Sequence, residues 1–246
     1  MTQPIRILTF TPVWQRPEVF KICIKGIKRM MKHDPKRFKI IPFFMVSESS
    51  AADLLMKEKM KFIYTQNSPL GTKKNLGLTY ALENFEFDYL MEIGSDDLVV
   101  SDYLDTVEGF MYQGIPQFHP ADVYFIDSRT GKTAYWITDK VLGAARCINR
   151  SSLEFVTRRT TLWDNTGVRG MDTFSWNTLM RFGIGNRLIM PNNGEVMAVD
   201  IKSATNINQM SAFKPSPLPI ESILQPFPEA ADIYKLIEQN TAATIL

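Results

Sequence analysis

Residues 87–100 read FDYLMEIGSDDLVV, and this stretch decides the fold. Tyr89, Leu90, Met91 and Ile93 make a short, nearly continuous apolar run. That is the pattern of a central parallel strand covered on both faces, rather than the alternation of a sheet with one wet face. The run ends at Gly94 and Ser95 and is followed by Asp96 and Asp97. Two adjacent carboxylates repel each other and resist burial, so something must neutralise them at a strand end. In open α/β sheets, ligands gather beyond the carboxyl ends of the strands. A divalent cation such as Mg or Mn would relieve the repulsion and bridge to phosphate oxygens, and Gly94 lets the backbone approach a bound group closely. The bland reading of the pair is a helix cap or a solvated strand end.

Working outward, the first half alternates strands and helices. IRILTF (5–10) reads as a strand, TPVWQRPE (11–18) as a loop, and 18–32 as a helix with Val19, Ile22, Cys23, Ile27, Met30 and Met31 on one face. FKIIPFFMVSE (38–48) and MKFIYT (60–65) are the next strands, with a helical segment between them. GTKKNLGLTYALENF (71–85) is a helix in which Thr72 is placed to cap the first turn. After the aspartates, Tyr103, Leu104, Val107, Phe110 and Met111 again fit a helical face. This order predicts a three-layer α/β domain with a mostly parallel central mixed sheet.

Beyond residue 112 the regularity fades. DVYFIDSRTGKTAYWI (122–137) reads as two strands joined by a turn at Arg129–Lys132, and GAARCINRSSLEFV (143–156) as a loop feeding a short helix. A helix is expected from near Asp172 to Gly183, then two short strands around a turn at Asn193 and Gly194. The expected division is one domain over 1–210 and, over 211–246, a proline-rich extension ending in a helix near 229–238.

Composition bounds the function loosely. The chain has 246 residues with 28 basic and 26 acidic side chains, a formal net charge of +2, which neither implies nor excludes a polyanion partner. Cys23 and Cys147 lack metal-ligand spacing, read as packing residues and point to a reducing cytoplasmic setting. No stretch approaches the roughly 20 apolar residues of a membrane span. His33 and His119 are not spaced as metal ligands, and the chain contains neither a serine elbow nor a phosphate-loop motif.

LTFTPVWQRPE (8–18), NSPLGTKKNLGLTYAL (67–82), YLMEIGSDDLV (89–99), GAARCINRSSLEFV (143–156) and RGMDTFSWNTLM (169–180) resemble, in that order, segments of GT-A fold glycosyltransferases of the large inverting family 2. The likeness spans about residues 5–202. It implies a nucleotide-sugar donor, a UDP-sugar being one candidate, and Mn or Mg held by Asp96 and Asp97. By the same resemblance Thr11 and Pro12 border the nucleotide and Glu48 meets the base. Lys74 and Asn75 match the donor-site helix, and Ser95 and Asp97 contribute beside Asp96. The family's motif carries an aspartate two residues before its metal-binding aspartate. Here Gly94 stands in that place, and Asp96 matches the metal ligand. Asp172 matches the second member of an acid pair and becomes the expected catalytic base, with Met171 replacing the first; its bland reading is a helix N-cap.

Lys202 follows a strand and is placed to meet the diphosphate; Asp200 orients it, joins the metal or forms an ordinary surface pair. Arg146 and Arg150 are candidates for phosphate or an anionic acceptor. Arg16 can approach phosphate, and a surface arginine explains it equally well. Of the four tryptophans, Trp14, Trp136, Trp163 and Trp176, core packing is the default for at least half.

The expected function is metal-dependent sugar transfer to an acceptor hydroxyl with inversion, the acceptor being a glycan, a small molecule, a protein or a hydroxymethylated DNA base. The last case would place the chain in the cytoplasm of an infected host. The alternatives are nucleotidyl transfer on the same plan and a noncatalytic sugar-binding or polyanion-binding protein.

Overall fold

β1 (Ile5–Val13) is the axis of the molecule. It pairs in parallel with β2 (Phe38–Val46) on one side and with β4 (Tyr89–Glu92) on the other, while β3 (Lys61–Tyr64) lies outside β2. The computed structural model describes residues 3–139, 141–190, 195–205 and 210–245. Beyond β4 come β9 (Cys147–Asn149), β6 (Gln117–Pro120) and β10 (Asn186–Ile189), giving the order β10-β6-β9-β4-β1-β2-β3. Only β9 runs against its neighbours, so the central sheet is mixed but mostly parallel.

A smaller second sheet has the order β12 (Lys214–Pro215), β8 (Thr133–Ile137), β7 (Asp122–Asp127), β11 (Ala198–Lys202) and β5 (Asp97–Val99). Its edge strand β5 begins on the second aspartate of the opening stretch, so the chain passes from the first sheet to the second across residues 93–96.

Strand alternation sorts the side chains into two cores. On one face of the central sheet Ile7, Tyr89 and Met91 pack with α1 (Pro17–Met30), α2 (Ser49–Lys57), α4 (Tyr103–Tyr112), α7 (Ile220–Leu224) and α8 (Ala230–Ile245). On the other, Leu8, Phe10, Phe43 and Leu90 pack with α3 (Leu70–Asn84), α5 (Arg150–Thr157) and α6 (Met171–Arg181). Three layers result. No helix among the described residues is long and apolar enough to cross a membrane.

Several expectations are corrected. Thr72 does not cap α3: Pro69 is the N-cap residue and Thr72 Oγ1 donates to the Asn165 carbonyl. The loop expected before α5 contains β9, and Gln117–Pro120 and Asp97–Val99 are strands too short for periodicity to reveal. The strands flanking Asn193 and Gly194 do not pair with each other; β10 joins the central sheet and β11 the second sheet. The turn itself lies outside the described residues. The terminal helix runs to Ile245, well past the expected 238.

Within 211–246, Ile223, Leu224, Phe227, Ile233 and Leu236 are buried in the main core. Lys25 pairs with Asp232, Arg29 pairs with Glu229, and Asn240 Nδ2 donates to the Ser128 carbonyl beside the β7–β8 turn.

Candidate active site

The chain leaves β1 toward β2 and β3, then returns through α3 to place β4 on β1's other side. Where strand order reverses in this way, the loops after the two central strands part and leave a crevice. Pro12, from the end of β1, and Gly94 and Asp96, following β4, line that crevice.

Three carboxylates meet there. Asp97 opens β5 and stands opposite Asp200 in the antiparallel pairing with β11. The Ile201 N–H donates to the Asp96 carbonyl at 2.8 Å, holding the intervening residue against the same strand. One oxygen from each of Asp96, Asp97 and Asp200 lies within 4.8 Å of the others. Burial, then Asp200 and Asp96, pushes the Asp97 carboxyl well above its ordinary range. Burial and Asp96 raise Asp200 to about 7. Among the described residues, Asp200 Oδ1 is buried and accepts no hydrogen bond. An all-oxygen donor set with crowded charge and an orphaned oxygen fits a hard divalent cation, which Asp96, Asp97 and Asp200 would hold.

Gly94 is built into this geometry. Its N–H donates to Asp97 Oδ2 at 2.6 Å. A Cβ at position 94 would stand 2.8 Å from an Asp96 carboxylate oxygen and 2.9 Å from one of Asp97. The glycine leaves room for two carboxylates to fold back over the strand end, and Asp200 supplies the third acid from the second sheet.

Two cations already sit on the trio. Arg16 Nη1 contacts Asp96 Oδ2 at 2.5 Å and its other terminal nitrogen donates to Ser95 Oγ at 3.0 Å. Gln15 and Arg16 both occupy left-handed backbone, φ 56° and 57°, a conformation uncommon outside glycine. This turn ends the loop and delivers Arg16 to the crevice. Lys202 Nζ contacts Asp200 Oδ2 at 2.5 Å. Burial alone would lower the Lys202 pKa, but Asp200, Asp96 and Asp97 raise it, so the ammonium stays charged.

A second polar cluster lies behind the first. Glu92, the last residue of β4, shares parity with Leu90 and so points to the α3–α6 side of the sheet. It is buried and receives Lys74 Nζ at 2.5 Å and Arg146 Nη2 at 2.6 Å. Burial would raise its pKa, but Arg146 and Lys74 override that and hold it low. Arg146 also donates to Ser175 Oγ of α6. Asp172 is the second residue of that helix, whose N-cap is Gly170, so the capping reading of Asp172 is set aside. Its side chain is 45% exposed and Oδ1 lies 3.9 Å from Lys74 Nζ. The carboxylate rests against Gly143, where a Cβ would come within 2.7 Å of both oxygens.

Two cavities join at this point. One, of about 200 Å³, is lined by Glu92, Lys74, Asp172 and the acidic trio, and faced by Trp136 and Phe213. The other, of about 530 Å³, runs past Arg16, Ser95, Asp96 and Lys202 to Trp14, Lys73 and Asn67. They share Pro12, Gly94, Asp96 and Lys202.

The crevice thus gathers Pro12, Lys74, Ser95, Asp96, Asp97, Asp172 and Lys202. Glu48 lines a shallow recess with Trp14 and Asn67, which continue into the larger cavity, and its Oε2 accepts from the Gln15 N–H. Four expected contacts lie elsewhere. Thr11 is buried in β1 and lines neither cavity. Asn75 hydrogen-bonds the backbone of Trp163 through both ends of its amide. Arg146 is fully buried against Glu92 rather than facing a ligand. Arg150 donates to the Leu82 and Phe85 carbonyls and pairs with Glu154, because it opens α5 beside Asp88, at the amino-terminal end of β4 and away from the crevice. Among the tryptophans, Trp163 is core, while Trp14 and Trp136 are exposed beside the cavities.

Sequence reasoning missed Glu92 and Lys73. The signal for Glu92 was present: a charged residue inside an apolar run must carry its own counter-charges. Lys73 faces the larger cavity while its neighbour Lys74 faces the smaller, as adjacent positions on a helix diverge. Its ammonium donates to the Val13 carbonyl and Ser47 Oγ, and burial, opposed by Glu48, lowers its pKa to about 8.

No family model and no curated protein matches this sequence. Among solved structures, the inositol-1-phosphate CTP transferase from T. maritima aligns over 92% of this chain and 98% of its own, at 7% identity and a TM-score of 0.51. A197 from STIV aligns over 76% of this chain and 82% of its own, at 14% identity and a TM-score of 0.43. The chain has an α/β fold with a mixed, mostly parallel central sheet that resembles the fold of the CTP transferase.

Proposed function

We propose that this chain transfers a sugar from a nucleotide-sugar donor to an acceptor hydroxyl with inversion at the anomeric carbon. The observation that carries the reading is Asp172. A half-exposed carboxylate faces the same cavity as Asp96, Asp97 and Asp200, yet stands apart from them on α6 beside Lys74.

The two groups divide the work. Arg16 and Lys202 lie where a diphosphate would cross from one cavity to the other, and the larger cavity leads to Trp14 and Glu48 for the nucleoside. Asp96, Asp97 and Asp200 would hold a divalent cation, which would supply positive charge for the leaving diphosphate. Asp172 accepts the acceptor's proton as its oxygen forms a bond to the anomeric carbon. The bond from that carbon to the diphosphate oxygen breaks with its electron pair. One displacement inverts the centre. Lys74, pinned by Glu92, holds Asp172 toward the cavity.

The decisive experiment incubates the purified protein with nucleotide sugars, Mn or Mg, and mixed acceptors including hydroxymethylated DNA. Product masses and nucleoside diphosphate release are measured. Asp172→Asn should lower transfer by roughly 100- to 10,000-fold with little change in thermal midpoint, and Asp96→Asn should abolish metal-dependent donor turnover. A folded protein inert toward every donor would sink the proposal.

The likeness to the CTP transferase favours a second reading, nucleotidyl transfer, in which a phosphorylated acceptor attacks the α-phosphate. Release of pyrophosphate instead of a nucleoside diphosphate distinguishes it.

A further inference from the structure

We propose that Arg16 and Lys202 are resident counter-charges that change partners on binding, so that a divalent cation and a diphosphate enter as one unit, each raising the affinity of the other. The inference rests on the cation-diphosphate reading of the crevice, and it concerns how that seat is loaded.

Three carboxylates face two fixed cations. Arg16 is bonded to Asp96 and Lys202 to Asp200, at 2.5 Å each, with side chains only 15% and 7% exposed. A bare divalent cation must share Asp96 and Asp200 with the side chains they already hold, or force those two cations off them. Neither displaced cation has an easy retreat. Lys202 is buried, and although its nitrogen lies 4.9 and 5.7 Å from the ring centres of Phe125 and Phe213, such cation–ring attraction offsets only part of the cost of a buried charge without its carboxylate. Arg16 is committed by the left-handed turn at Gln15 and Arg16. A bare diphosphate fares no better, because it would meet three carboxylates at close range.

Together the two ligands resolve both conflicts. The divalent cation takes the carboxylates, and phosphate oxygens take Arg16 and Lys202, which both line the larger cavity. Lys202 and Asp96 also line the smaller one, so the exchange happens where the two cavities meet. No charge is left without a partner. Because linkage is reciprocal, the gain in metal affinity from the diphosphate equals the gain in diphosphate affinity from the metal.

The test uses Mn and inorganic pyrophosphate as probes, by calorimetry and equilibrium dialysis on the full chain. In wild type each probe alone should bind weakly, and preformed manganese pyrophosphate should bind roughly 5- to 150-fold more tightly than pyrophosphate without metal. Arg16→Gln and Lys202→Gln should move the two ligands in opposite directions, tightening Mn alone and weakening manganese pyrophosphate. A loosened structure would weaken both.

The inference is overturned if wild type binds pyrophosphate equally well with and without Mn. It is also overturned if variants with a wild-type circular dichroism spectrum bind Mn alone no better than wild type. The wild-type comparison stands even where a variant does not fold. Binding of the complex without the reversal of sign sinks the exchange alone. Failure of every probe to bind, singly or together, sinks the cation-diphosphate seat and the proposed function with it.

Discussion

Asp200 is raised to about 7 by burial and by Asp96, and its pH behaviour follows from that direction. Its folded pKa lies above its unfolded value, so the stability it contributes is fully present below the ordinary carboxylate range and is lost as pH rises through about 7. Cation binding runs the other way, because the proton and the metal compete for the same oxygens. Affinity for Mn should climb as pH rises toward about 7, by about tenfold per pH unit for each proton displaced. Calorimetry from pH 5.5 to 8.5 measures the slope, and a flat profile would remove Asp200 from the metal site. Asp96 and Asp97 were legible in the sequence because two charges close an apolar run. Asp200 was legible only as one of several roles for a polar residue near Lys202, since nothing in DIK reveals that β11 pairs with β5. Such a contact belongs to register between strands distant in sequence.

Glu92 acts at the scale of elements, since its carboxylate joins β4 to α3 through Lys74 and to α6 through Arg146 and Ser175. Glu92→Gln leaves two buried cations facing a neutral partner. Breaking a buried pair in this way costs about 3–5 kcal/mol, which urea denaturation will show as a lower midpoint. Loss of less than about 1 kcal/mol would mean that the cluster is wetter than its burial indicates. The regular strands and helices up to residue 112 could be read from hydrophobic period and continuity, whereas the cap expected at Thr72 could not. The three-residue strands β5 and β9 could not, because three residues carry no periodicity and are held by the ladder formed with distant partners.

At the scale of the molecule, residues 213–245 contribute both to the wall of the smaller cavity and to the main core. Phe213 forms a wall of the smaller cavity and stacks on Phe125 at 3.9 Å between ring centres. α8 ties α1 to the β7–β8 turn. Proline content announced an irregular segment, and its apolar residues announced packing, but its destination depends on tertiary contacts that composition does not encode. Ending the chain at residue 228 would strip Ile233 and Leu236 from the core, each worth about 1.5–3 kcal/mol, and would leave Arg29 without Glu229. The shortened chain should unfold at a distinctly lower denaturant concentration. An unchanged midpoint would show that α8 adds nothing to the core.

Gly94 closes off a route as well as opening a site. An acid introduced there would place its Cβ against the two carboxylates that already fold over the strand end. To admit it, the Asp96 and Asp97 side chains would have to swing off position 94, away from the places in which they meet Asp200. A third acid from the strand end and one from the second sheet therefore compete for the same space.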